Sequence, residues 1–361
     1  MRISSLMTYF FIVSFAATVV HAQSIGYVGT LGGELSTAVS YNSAGGSNSV
    51  SIARTGVFQV TLSGLGNSLN SNIQVNAVNT DGTGHYCTSD GWYSDNDVDV
   101  TAYVDCFDSS GNPLTEDFTL FYQARTTAPP SGSIAFLWAN DPTIAIGSTY
   151  IPASSYSYNS TGGTNKVHHK ATGVYLVHLP GLSDHGNVQV TAYGDGTAAR
   201  CEVKGWSAQG TGTDVSVYCV NAANVATDEY FDLSYTDGTT EAAGPSATAQ
   251  GAYAWANNDT KKNYVPSVAH QFNSLSPPDA LTAQRFGGLV LGQYSLTLPN
   301  PSEVSFNTFL GMVTAIGSSG EYCNTAGLNV EEGDIYVDLI CYDSEGRQVD
   351  AEYTGTLIFS R

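Results

Sequence analysis

Tyr41-Asn42-Ser43-Ala44-Gly45-Gly46-Ser47-Asn48 recurs as Tyr158-Asn159-Ser160-Thr161-Gly162-Gly163-Thr164-Asn165. The register holds without a gap: Thr55-Gly56-Val57-Phe58-Gln59-Val60 falls on Thr172-Gly173-Val174-Tyr175-Leu176-Val177, and Leu62-Ser63-Gly64-Leu65 on Leu179-Pro180-Gly181-Leu182. Further on, Ile73-Gln74-Val75-Asn76-Ala77 matches Val188-Gln189-Val190-Thr191-Ala192, and Cys87 before Gly91-Trp92 matches Cys201 before Gly205-Trp206. A diverged third copy carries Trp255-Ala256-Asn257 against Trp138-Ala139-Asn140, Tyr264-Val265-Pro266 against Tyr150-Ile151-Pro152, and Val313-Thr314-Ala315 against Val190-Thr191-Ala192. Units of about 110 residues are too long for solenoid or propeller repeats, so each copy is expected to be a domain with its own core. The Pro, Gly, Ala and Thr stretches at Pro129-Pro130 and Thr239 to Gln250 read as linkers, giving domains at 23–128, 129–240 and 241–361.

Alternation of period two dominates each copy. Phe58, Val60 and Leu62 alternate with Gln59 and Thr61; Tyr175, Val177 and Leu179 repeat the pattern, as do Tyr294, Leu296 and Leu298. This is a strand with one buried face. Similar runs end in a cysteine at Ala102-Val104-Cys106, Val215-Val217-Cys219 and Ile335-Val337-Leu339-Cys341. With many short strands, Gly-rich turns and no helical period, the chain is expected to be all-β: three tandem antiparallel β-sandwiches, Ig-like in architecture, each with one disulfide. The cysteines are too close in sequence for the inter-sheet bridge of a true immunoglobulin domain. Leu328 replaces Trp92 and Trp206 in the third copy, which fits an apolar packing position.

The pairs expected are Cys87–Cys106, Cys201–Cys219 and Cys323–Cys341, one per copy among the fifteen connectivities six cysteines allow. Each would close a hairpin and contribute about 3 kcal/mol. Short Cys spacings of a metal site are lacking. Residues 1–22 read as a signal peptide: Arg2, an apolar run from Met7 to Val20, and Val20-His21-Ala22 before the cleavage point. The run is too short for a membrane span. The chain is therefore expected to be secreted and extracellular, without membrane insertion.

Composition excludes further classes. Twelve basic against 32 acidic residues give a charge of -20, which opposes binding to nucleic acid. Only 12% of residues are charged while 42% are hydrophobic, so this is no disordered acidic tail.

The pattern resembles secreted, largely uncharacterised microbial proteins built from tandem disulfide-containing β-sandwich repeats. The resemblance rests on Tyr-Asn-Ser-x-Gly-Gly, on Gly-x-Tyr-x-Val-x-Leu-Pro-Gly-Leu, on Val-x-Val-Thr-Ala-Tyr-Gly and on the Cys, Gly-Trp, Cys set. It implies compartment and architecture and carries no activity.

Repetition also sorts the candidate sites. Glu116-Asp117 and Asp228-Glu229 precede the last strand of their copies, with Glu352 near the equivalent place, so they read as strand-end residues; neighbours on a strand face opposite ways and cannot flank one bond. His168, His169, His178 and His185 lack Cys or carboxylate at ligand spacing. Ser94-Asp95-Asn96-Asp97-Val98-Asp99 offers calcium-type oxygens but lacks the glycine and distal glutamate of an EF-hand loop. Gly-x-Ser-x-Gly, His-Glu-x-x-His and a phosphate loop are missing. Neither a catalytic residue, a metal nor a cofactor is expected.

The candidate ligand-binding residues are Trp138 with Asn140 and Trp255 with Asn257, able to stack on sugar rings and bond hydroxyls; filling the end of a sandwich core is the competing role. Asn159 and Asn258 begin glycosylation sequons. The expected function is a non-enzymatic, multivalent adhesion or binding protein that recognises an extracellular glycan or protein partner, with avidity across linked copies. A structural matrix or cell-wall component is the first alternative, and a polysaccharide-active hydrolase or lyase the second.

Overall fold

The repeated Tyr-Asn-Ser segment is a corner between two sheets. The computed structural model describes residues 23–360, except 67–69, 96, 130, 195, 243–248, 276–279, 287–290 and 301–304. The signal peptide expected over residues 1–22 lies outside the described residues, as do Pro130 and part of the second junction.

At the corner, Asn42 Nδ2 donates to Asn48 Oδ1 at 2.9 Å and to Ser63 O at 2.9 Å, and Asn48 donates on to Tyr41 O. Asn159 and Asn165 repeat this clamp with Pro180 O and Tyr158 O. The next residue ties the corner down: Ser43, Ser160 and Ser274 Oγ accept the amides of Ile25, Ile134 and Gly251. Gly45 and Gly162 stand at φ +72° and +78°, and a Cβ on Gly46 would lie 2.3 Å from Ser63 O. These glycines are needed for conformation and close approach. Phe272-Asn273-Ser274 makes the same corner in the third copy, where the sequence pattern is no longer recognisable.

The first region holds β1 (Gln23–Leu31), β2 (Glu34–Asn42), β3 (Asn48–Arg54), β4 (Val57–Leu62), β5 (Ser71–Ala77), β6 (His85–Asp95), β7 (Asp99–Asp108) and β8 (Phe118–Arg125). The second holds β9 (Ser133–Ala139), β10 (Thr149–Tyr150), β11 (Ser157–Asn159), β12 (Lys166–Ala171), β13 (Val174–Pro180), β14 (Asn187–Tyr193), β15 (Arg200–Gln209), β16 (Gly212–Val220) and β17 (Tyr230–Asp237). The third holds β18 (Ala249–Ala256), β19 (Asn263–Tyr264), β20 (Gln271–Asn273), β21 (Thr282–Arg285), β22 (Gln293–Leu298), β23 (Thr308–Ile316), β24 (Tyr322–Glu331), β25 (Asp334–Tyr342) and β26 (Glu352–Ser360). Among the described residues the only helical turns are two short 3-10 segments, Ser154–Tyr156 and Val268–His270.

The alternation read in the sequence is the observed one: Phe58, Val60 and Leu62 are buried, as are Tyr175, Val177 and Leu179, and Tyr294, Leu296 and Leu298. Each region contributes one large cluster of buried side chains, and each cluster gathers side chains from two sheets. The three disulfides join Cys87 to Cys106, Cys201 to Cys219 and Cys323 to Cys341. Each links directly opposed residues of a hairpin with Cα atoms 4.0 to 4.1 Å apart.

The sheets do not stop at the junctions. One four-stranded sheet (β2-β1-β8-β5) and one five-stranded sheet (β19-β21-β22-β25-β24) lie within single regions, but the other two cross between regions. The eight-stranded sheet passes from first to second region where Ser89 of β6 pairs in parallel with Tyr193 of β14. The nine-stranded sheet passes from second to third where Val203 of β15 pairs with Ile316 of β23. Thr325 of β24 bridges to Val78, just after β5, and so returns the third region to the first. The three regions thus close a ring with approximate threefold symmetry. In each case the pairing residue stands two places after a hairpin cysteine and is followed by a β-bulge, at Ser89/Gly91, Val203/Gly205 and Thr325/Gly327. A bulge bends and twists its strand, which lets the edge meet its neighbour.

A buried polar seam lines the inner side of this ring. Thr191 Oγ1 accepts the Val75 amide at 3.0 Å and bonds Gln74 Oε1; one step round, Thr314 Oγ1 accepts the Val190 amide at 3.1 Å and bonds Gln189 Oε1. Asn76 completes the circuit by donating to Val313 O and Cys323 O. Toward one end, the Arg200 guanidinium stacks between the rings of Tyr86 and Tyr322, 4.9 and 5.1 Å from their centroids. Paired edges and interlocked polar side chains join the three regions, because each inner sheet has buried hydrogen-bonding groups that its neighbour satisfies.

Candidate functional site: the aromatic cleft at the first junction

Trp92 follows the bulge at Gly91, which turns its indole toward the second region. There it meets Tyr156, carried on the 3-10 turn, at 5.3 Å and 88°, and Trp138 of β9 at 6.5 Å. Tyr193 packs edge-on to Trp92 at 6.0 Å, and Tyr230 stacks on Trp138. Trp92 donates its indole N–H to Ser71 Oγ at 2.8 Å.

Beside this wall lies a cleft of about 250 Å³ whose lining includes Ser71, Trp92, Tyr93, Ser94, Asp97 and Tyr156. Tyr93 is 49% exposed and stacks at 6.5 Å on Tyr103, and Asp97 is exposed with φ +56°. The β6–β7 hairpin ends there, its turn closed by Val98 N donating to Asp95 O at 3.0 Å. The cleft is thus lined by aromatic side chains, of which Tyr156 is half-buried and Trp92 only 8% exposed, together with two serines and a carboxylate, a mixture of apolar and polar groups found in ligand sites.

The second junction keeps the plan with different chemistry. Trp206 and Trp255 lie 5.2 Å apart, and His270 takes the place of Tyr156, 4.9 Å from Trp255. Burial, followed by the neighbouring His185, holds the His270 imidazole below its ordinary pKa. At the third junction Leu328 and Gly29 replace both tryptophans.

Trp138 packs against the core of the first region rather than its own, and its indole nitrogen is buried without a hydrogen-bond partner. Asn140 is occupied by the Ala153 amide, while Asn257 is exposed. Sequence reasoning does not group Trp92, Tyr93 and Tyr156. The one signal available there is that Trp92 and Trp206 share a Gly-Trp pattern that Leu328 breaks.

Asn159 is 8% exposed and its amide nitrogen makes the two corner hydrogen bonds. Asn258 stands exposed in a turn, its Oδ1 accepting the Lys261 amide. The paired acids serve turns and strand ends. Asp117 accepts the Gly32 and Gly33 amides, Asp228 accepts Gly173 N at 2.8 Å and Asp350 accepts Gly292 N at 2.9 Å. His169 bonds Asp228 at 2.9 Å, as Arg285 bonds Asp350, so the histidine is part of a repeated turn brace. His178 bonds Asp214 at 2.7 Å. Among the described residues, three or more metal-binding side chains nowhere converge, and helices long and apolar enough to cross a membrane are absent. The three disulfides fit an extracellular or otherwise oxidising environment. No protein-family model matches the chain, and neither does a curated protein or a solved structure.

Proposed function

We propose that this is a secreted, non-enzymatic binding protein of three β-sandwich modules, Ig-like in architecture, that takes an extracellular saccharide in the cleft at its first junction. The observation that carries this reading is the cleft itself, about 250 Å³ lined by Trp92, Tyr93 and Tyr156 together with Ser71, Ser94 and Asp97. Sugar rings present apolar faces for stacking and equatorial hydroxyls for hydrogen bonds, and such a lining serves both. The divergence of the other junctions favours one such site per chain over three equivalent ones. Avidity would then come from display of several chains rather than from copies within one.

A glycan array probed with the chain from Gln23 to Arg361, followed by titration of the best saccharide, tests the reading. Tyr93→Ala is expected to weaken binding by about tenfold or more, which corresponds to about 1.4 kcal/mol or more. A chain that retains no glycan, or a Tyr93→Ala variant that binds as tightly as wild type, removes it. The closed ring and its polar seam favour a second reading, a rigid structural component of an extracellular matrix or wall. Incorporation into an insoluble matrix together with a blank array would support that one.

A further inference from the structure

β3 ends the eight-stranded sheet, and among the described residues no strand lies along its outer side. The same edge is covered in the other two regions. β10 pairs with β12, Thr149 opposite His168 and Tyr150 opposite Val167; β19 pairs with β21, Asn263 opposite Gln284 and Tyr264 opposite Ala283. The first region departs from this because Gly32 and Gly33 turn β1 straight into β2, with Thr30 opposite Leu35 and Leu31 opposite Glu34. The stretch that elsewhere crosses over to cover the edge is used here to extend the opposite sheet.

The side chains record the missing cover. Val50 and Ile52 pair with Val60 and Phe58, as Val167 and His169 pair with Val177 and Tyr175. Val167 and His169 are 0% and 1% exposed, whereas Val50 is half-buried and Ile52 is 52% exposed. Leu31, 73% exposed, ends the neighbouring β1, and in the turn that follows a Cβ on Gly33 would stand 3.5 Å from Ile52 Cδ1. Open edges are commonly blunted with Lys or Pro. β3 has neither, and Arg54 at its end is its single charge.

We propose that a second copy of this chain adds its own β3 antiparallel to this edge, about a twofold axis at Ser51. The sequence Val50-Ser51-Ile52 is nearly the same read in either direction. This register sets Ser51 opposite Ser51 of the other copy and Val50 opposite Ile52, so both aliphatic pairs fall on the face where Val50 already packs against the first region's core. Arg54 lies past the bulge at Ile52/Arg54, at the end of the pair away from the other copy's Arg54, so like charges do not meet within the strand pair. The contact is isologous and closes at two copies, and the eight-stranded sheet continues across the axis. Self-complementarity is what favours a copy of the chain over an unrelated extended peptide. The inference is independent of the saccharide reading.

Sedimentation velocity of the full secreted chain over about a hundredfold range of concentration tests it, because a dimer responds to dilution by mass action. Wild type is expected to shift from dimer toward monomer on dilution, and Ser51→Lys to remain monomeric with an unchanged melting temperature, since Ser51 is exposed. Ser51→Cys is expected to form a disulfide-linked dimer through the same position under oxidising conditions. A chain that is monomeric throughout overturns the proposal, as does a dimer that persists in Ser51→Lys while Ser51→Cys fails to cross-link. So does capture of an unrelated extended peptide along β3 by a chain that is itself monomeric.

Discussion

Trp206 and Trp255 hold their ring centroids 5.2 Å apart across the second junction, and His270 stands edge-on to both. One indole follows a bulge in β15 and the other lies on β18, so their contact fastens the second region to the third. Trp255→Ala is expected to lower the free energy of unfolding by about 2–4 kcal/mol through loss of buried ring area and the cavity left behind. Urea titration of both proteins checks this, and Tyr93→Ala, an exposed ring, should stay within about 0.5 kcal/mol of wild type.

Corner geometry gives a second expectation. Asn165 is buried and its Nδ2 reaches Phe136 O at 3.2 Å, Ser157 Oγ at 3.1 Å and Tyr158 O at 2.9 Å. Asn165→Ala removes these three bonds and the one its Oδ1 accepts from Asn159, and leaves two buried carbonyls short of a donor, at a cost of about 2–3 kcal/mol. Asn48→Ala should behave alike, since Asn48 makes the equivalent set in the first region. Thermal unfolding of each single variant decides the matter; an unshifted midpoint in both would show that the corner does not depend on its amides.

The pH dependence has a definite sign. Burial, with Glu321 alongside, pushes the Glu202 carboxyl from 4.5 up to about 8, and burial lifts Glu241 to about 7 and Asp232 well above its ordinary range. A carboxyl raised on folding binds its proton more tightly in the native chain. Its stabilising contribution is therefore complete below its unfolded value and is lost as pH rises through the folded one. In the other direction, Asp350 is partly buried, yet Arg285 and the Gly292 amide hold it below 3.8, so its contribution disappears as pH falls. Stability is expected to peak near about pH 4–5 and to decline toward about pH 8. Urea midpoints measured along this range check the slope, and Glu202→Gln should flatten the upper part of it.

Much of this architecture is legible in the residues. Cys87 and Cys106 announce their bridge by falling in register with two other pairs, and Phe58, Val60 and Leu62 announce a buried face by alternating. The ring is not. Its junctions rest on Ser89 with Tyr193, Val203 with Ile316 and Thr325 with Val78, where residue types differ at every copy because a backbone pairing makes little demand on the side chain. The polar seam is hidden for a related reason. Gln74, Thr191 and Thr314 look like the solvent side of an alternating strand, and only a neighbouring sheet turns that side inward. The cleft follows from the ring, since Trp92 and Tyr156 become neighbours only once the first junction is formed.

Closure of the ring also removes the distinction between a beginning and an end. Tyr27 on β1 bonds Thr308 on β23 at 2.6 Å, and Thr308 bonds Ser360 on β26 at 2.6 Å. The first and last strands among the described residues, β1 and β26, are therefore held by one shared hydroxyl group. In a linear row the outer members are secured on one side only and can peel away. Here every member has two neighbours, so cutting a single connecting peptide should leave the assembly standing, and a circularly permuted polypeptide opened between β8 and β9 should still find the same shape.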